Sequence, residues 1–146
     1  MQKYELFRTF AAKIEEKMHF FIQFVRKYPF SVFCIVLIWV LSLTPFIPET
    51  PLNNVKFIDK WTHLVMYGGT CSVIWFEYLR HHHTIAWRKV LLLAVVGMIL
   101  LGGLMELLQA YCTTTRSGEW LDFWSDTVGV LLGNALGLLL RCFVSR

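Results

Sequence analysis

Four apolar runs, each long enough to cross a hydrocarbon core of about 30 Å, constrain this chain more than any other feature: Pro29 to Ile47, Trp61 to Leu79, Val90 to Tyr111 and Leu121 to Val144. Hydrocarbon offers no partner to a bare peptide group, so each run closes its backbone hydrogen bonds internally as a helix. The expected fold is all-α: an integral membrane bundle of four transmembrane helices with an N-terminal amphipathic interfacial helix. Of the 146 residues, 56% are hydrophobic and 16% charged, which suits a bilayer better than water as the surrounding solvent. The expected division is a surface helix over residues 1–28 and one membrane domain over residues 29–146. No cleavable leader is expected, since a charged stretch precedes the first run and no A-x-A-like exit follows it.

Basic residues orient the bundle. Lys3, Arg8, Lys13, Lys17, Arg26 and Lys27 precede the first run, Arg80, Arg88 and Lys89 separate the second from the third, and Arg141 and Arg146 follow the fourth. Lys56, Lys60 and Arg116 remain for the opposite face, so the positive-inside rule places both termini in the cytoplasm. The net charge of +4 follows from this asymmetry and from contact with anionic lipid; nucleic acid is not an expected partner. Before the first run, Phe7, Ala11, Ile14, Met18, Phe21 and Val25 form a helical stripe ending at Pro29, which suits a helix lying on the cytoplasmic leaflet. A partner-binding or dimerising helix is the competing reading of that stripe. The first outer loop is set by Pro45, Pro48 and Pro51 with Asn53 and Asn54. Cys34, Cys71, Cys112 and Cys142 form no CxxC and read as small packing residues, while the His81 to His83 run on an inner loop receives no role.

Ionisable groups within apolar helices are costly and normally face a bundle interior, a wet cavity or a functional site. Asp59, His63 and Tyr67 recur every four residues on the second run, descending about 12 Å from the outer interface. Glu106 and Gln109 lie near the outer end of the third run, and Asp122 and Asp126 near that of the fourth. Gly129, Gly133 and Gly137 continue the stripe of Asp122 and Asp126 as a small-xxx-small seam, for which Gly102 and Gly103 on the third run offer a close partner. Lys60 and Arg116 are the cations expected to balance these carboxylates, which otherwise repel one another. A charged network that only fixes helix register is the alternative, although paired buried charges barely recover their desolvation.

The segment Asp59-Lys60-Trp61-Thr62-His63 with Tyr67, then Gly103-Leu104-Met105-Glu106-Leu107-Leu108-Gln109, then Arg116 with Asp122, Asp126, Gly129 and Gly133, resembles the VanZ-like family of small bacterial membrane proteins. The resemblance runs from about residue 30 to residue 140, in order and with the family's spacing. At the position of Asp126 the family commonly has asparagine, so this chain carries an additional carboxylate. The founding member is associated with teicoplanin resistance, and the resemblance implies an outer-face role in the bacterial cytoplasmic membrane.

The expected function is therefore binding. Asp59, Lys60, His63, Tyr67, Glu106, Gln109, Arg116, Asp122 and Asp126 would engage a lipid head group or a lipid-linked cell-wall precursor and alter susceptibility to glycopeptides. An intramembrane enzyme acting on an envelope lipid is the second reading: His63, Glu106, Asp122 and Asp126 are ligand types that suit magnesium, manganese or calcium better than structural zinc, but no nucleophile or HExxH signature accompanies them. No metal ligands are assigned from the sequence, the cofactor is left unknown, and homo-oligomerisation stays open. An ion pathway is disfavoured because polar residues thin out below Tyr67 and Asp126, leaving Thr70, Ser72 and Asn134 above Glu77.

Overall fold

The computed structural model describes residues 2–44, 56–114 and 118–144, and every regular element among them is helical. In chain order these are α1 (Gln2–Lys27), α2 (Pro29–Leu43), α3 (Ile58–His81), α4 (Trp87–Val90), a π-helical segment (Leu91–Gly97), α5 (Met98–Cys112) and α6 (Trp120–Val144). The proline-rich outer loop with Asn53 and Asn54, and Arg116, lie outside the described residues.

Two helices are long and apolar enough to cross a membrane, Trp87–Cys112 and Trp120–Phe143, and α1 with α2 forms a third such stretch bent by 97°. Proline at the start of α2 explains the bend, because its ring has no N–H to give and restricts the residue before it; Tyr28 accordingly sits outside helical geometry at φ −128 and ψ 55. On α1, Phe7, Phe10, Ile14, Met18 and Phe21 are exposed and find no partner helix among the described residues. The expected second span falls within α3, which is long enough at 24 residues, about 36 Å, but less apolar than the two helices above. The reason is its composition: α3 carries Asp59, Lys60, His63, Glu77 and Arg80 among its apolar residues, and packed chiefly on α6 it buries His63, Thr70 and Glu77.

Glycines allow this close approach. A Cβ on Gly129 would strike the carbonyl oxygen of Leu64, one on Gly133 that of Gly68, and one on Gly137 the ring of Trp75. The seam of α6 therefore faces α3, correcting the expectation that Gly102 and Gly103 on the third run would meet it. Gly102 instead clears space for Asp126, whose Oδ2 would lie 3.0 Å from an added Cβ. The correction follows from Gly68 on α3, a small residue whose own Cβ would come to 3.0 Å from the Gly129 carbonyl oxygen, so that two bare backbones meet there.

Side chains of other helices complete both ends of α2. Tyr28 supplies no side-chain cap at its start, and the buried Glu77 of α3 accepts from the Phe30 N–H at 3.0 Å, the Ser31 N–H at 2.8 Å and the Ser31 hydroxyl at 2.5 Å. A carboxylate there satisfies amides that no turn of helix can reach and complements the positive end of the helix dipole. At the other end, Gln109 Nε2 of α5 donates to the Ser42 carbonyl at 2.9 Å.

The π-helical segment has a matching device. The Ala94 carbonyl accepts from Asn134 Nδ2 of α6 at 2.9 Å and from the Cys71 thiol of α3 at 3.5 Å, while Asn134 Oδ1 accepts from Trp75 Nε1 at 2.8 Å. Widened helical turns disturb the regular backbone ladder, and a carbonyl within them is open to side chains of neighbouring helices. At this end of the bundle His82 stacks on Tyr78 with ring centroids 4.4 Å apart, and Lys27 Nζ lies 3.3 Å from its Nε2.

Candidate functional site

At the opposite end, the first turns of α3 and α6 meet the last turns of α5. Lys60, at the rim, reaches three carboxylates: Glu119 Oε2 at 2.5 Å, Asp122 Oδ1 at 2.9 Å and Asp59 Oδ2 at 3.4 Å. One turn further in, His63 Nδ1 donates to Asp126 Oδ1 at 2.9 Å and stands 4.0 Å from Glu106 Oε1. The other oxygen of Glu106 is committed, accepting the Glu119 backbone N–H at 2.8 Å just ahead of α6. Glu106 thus does for α6 what Glu77 does for α2, and this bond fixes where its remaining oxygen points.

The helical repeat explains the layering. Asp59 and His63 are four residues apart on α3, as are Asp122 and Asp126 on α6, so each helix contributes one outer and one inner group. Lys60 occupies the outer layer. The inner layer consists of His63, Glu106 and Asp126, all buried, with Tyr67 one turn below at 0% exposure and subject to the charges of Asp126 and Glu106.

Of the residues expected in a common site, Asp59, Lys60, His63, Tyr67, Glu106, Asp122 and Asp126 are brought to one end of the bundle. Gln109 is buried nearby, but its amide is used on α2 through Ser42. Arg116 lies outside the described residues, and its expected pairing with them. Glu119 is the addition: it joins the rim through Lys60 although it lies ahead of the fourth apolar run and was not among the expected site residues. Its signal was its place immediately before α6, where a side chain has both helix start and loop within reach.

Two features set this cluster apart from an ordinary salt-bridge network. Five carboxylates, those of Asp59, Glu106, Glu119, Asp122 and Asp126, face one lysine and one histidine among the described residues. In addition, Tyr67 Oη, Glu106 Oε1 and Asp126 Oδ2 are buried without a hydrogen-bond partner among the described residues. A buried polar atom left unpaired costs about 1–3 kcal/mol, so the three together mark a polar spot suited to a water or a ligand.

No family model, curated protein or solved structure matches this chain. Its functional reading therefore rests on the residues themselves.

Proposed function

We propose that this chain is a VanZ-like cell-envelope protein of the bacterial cytoplasmic membrane. In this reading α2, α3, the continuous α4 to α5 helix and α6 are four spans, both termini are cytoplasmic, and the acidic cluster opens outward to bind the head group of an envelope lipid or a lipid-linked cell-wall precursor. Occupation of the site changes susceptibility to teicoplanin and related antibiotics. The observation carrying the reading is the trio of unpartnered buried oxygens on Tyr67, Glu106 and Asp126 beneath the Lys60 rim. Acceptors outnumber donors there, so the part of the head group that enters is one that donates, an amine or a set of hydroxyls, while Lys60 meets its phosphate at the rim.

Native mass spectrometry of gently extracted protein tests this. A retained adduct with the mass of an envelope phospholipid or lipid-linked saccharide is expected, and it is expected to be lost in Asp126→Asn. Protein that carries no lipid from its own membrane, or carries the same lipid in the variant, refutes the reading.

The topology has its own test, motivated by the eleven-to-three distribution of basic residues. Single cysteines placed at Pro51 and at Arg116 in a cysteine-free chain are expected to react with an impermeant maleimide on intact cells, and a cysteine at His82 only after permeabilisation. External labelling at His82 would invert the bundle and put the acidic cluster on the inner face.

A further inference from the structure

We propose that His63, Glu106 and Asp126 hold a divalent cation, with Mn2+ the best-matched ion, and that Tyr67 supplies a donor to a water in its shell. The three side chains present one ring nitrogen and two carboxylate oxygens that all lie within 4.8 Å of one another. From His63 Nδ1, the distances to Asp126 Oδ1 and Glu106 Oε1 are 2.9 and 4.0 Å. Ligand atoms about 2.1 Å from a shared ion stand about 3 Å apart when adjacent and about 4.2 Å apart when opposite, so both observed separations fall within that span.

A second trio, Asp59, His63 and Asp122, satisfies the same proximity. There, however, the Lys60 ammonium already lies 3.4 Å from Asp59 and 2.9 Å from Asp122 and supplies the positive charge. No ammonium or guanidinium among the described residues pairs with the inner trio.

Independent support comes from Tyr67. It contributes no ligand to the trio, is 0% exposed, lies within the field of Asp126 and Glu106, and leaves its hydroxyl without a partner. A phenol buried at such cost beside two carboxylates points to something polar between them. Asp126 Oδ2 is unpartnered as well, facing Gly102, where any side chain would crowd it.

The donor set narrows the ion. Two carboxylates favour hard cations, and an imidazole is uncommon around magnesium or calcium, whereas manganese accepts both. A closed zinc site would want more nitrogen or sulfur, and the described cysteine nearest in sequence to His63, Cys71, donates instead to the Ala94 carbonyl. Coordination needs Nδ1 free of the proton it shares with Asp126: an imidazolium releases that proton to solvent, a neutral ring carries it on Nε2 instead, and either way the ligand is a neutral imidazole.

The ion takes the same inner oxygens that a donating head group takes in the reading above, so the two are alternative occupants of one cluster, and the proposal does not rest on that reading. Its probe is Mn2+ alone, added to protein purified through a histidine-free tag and held in phosphatidylcholine nanodiscs, so its failure leaves the lipid result untouched. Loss of the free-ion electron paramagnetic resonance signal is expected to titrate to one Mn2+ per chain, and Asp126→Asn is expected to weaken that binding more than about tenfold. The chain has five histidines, so replacing His19, His81, His82 and His83 with alanine leaves His63 as the sole imidazole. Bound Mn2+ in that variant is expected to show nitrogen modulation of its electron spin echo. Equal affinity in wild type and Asp126→Asn, or no nitrogen modulation in the single-histidine chain, overturns the proposal.

Discussion

Gly133→Leu is expected to abolish recovery of folded protein in detergent, while Leu132→Ala leaves yield and thermal stability almost unchanged. The two positions are neighbours on α6 with opposite surroundings. A Cβ at Gly133 would run into the Gly68 carbonyl oxygen and stand 2.8 Å from the Cys71 Cβ, whereas Leu132 is exposed. Overpacking a core that can shift side chains costs about 1–3 kcal/mol. Here the obstacle is backbone, and a leucine must push two helices apart along the most extensive contact in the molecule, so the loss exceeds that range and approaches the whole stability of a small domain, about 5–15 kcal/mol. The exposed truncation stays within about 0.5 kcal/mol. Thermal unfolding followed by circular dichroism distinguishes the two, and equal melting of both variants would contradict an α3 to α6 contact at Gly133.

Asp126→Asn and Glu106→Gln are expected to remove function while leaving the fold intact. Each keeps its shape, an acceptor oxygen for its present partner and a place in the bundle. The stability cost should therefore be no more than about 1.5 kcal/mol, the worth of an ordinary hydrogen bond. On the proposed reading, binding depends on the charge. With either variant, susceptibility to a lipoglycopeptide antibiotic is expected to match that of cells lacking the gene, at normal folded yield. Full retention of phenotype by both variants would reduce the cluster to a register-fixing network. Asp126→Ala is a poorer probe, because it strands His63 without its buried partner, a loss of about 3–5 kcal/mol that confuses folding with function.

Much of this was legible in the chain, for reasons that can be traced. Apolar runs locate α2, the α4 to α5 helix and α6 because those helices put largely apolar surface outward. The i, i+4 spacing of Asp59 with His63 and of Asp122 with Asp126 identifies the cluster because helical geometry fixes which residues share a face. What sequence spacing cannot supply is the choice of partner. Nothing in Gly129, Gly133 and Gly137 tells α3 from α5, since both offer glycines, and only the packed bundle decides. Glu77 reads as an inner-boundary charge, although Tyr28, a poor N-cap ahead of Pro29, signals that the start of α2 draws its cap from elsewhere. The π-helical turn in Leu91–Gly97 leaves no mark at all, because an apolar run of this kind suits either helix.

The two clasps on α2 bear on how such a chain assembles. Glu77 and Gln109 both come later in the chain than the helix whose ends they complete. On the four-span reading, α2 reaches the membrane before α3 and α5, and on arrival its opening amides and its Ser42 carbonyl lack the side chains that will satisfy them. Synthesis of α3 closes one end, and synthesis of α5 closes the other. On that reading the helix is held in lipid until then by its apolar surface alone. The settled place of α2 in the bundle is therefore decided only after α5 has been made.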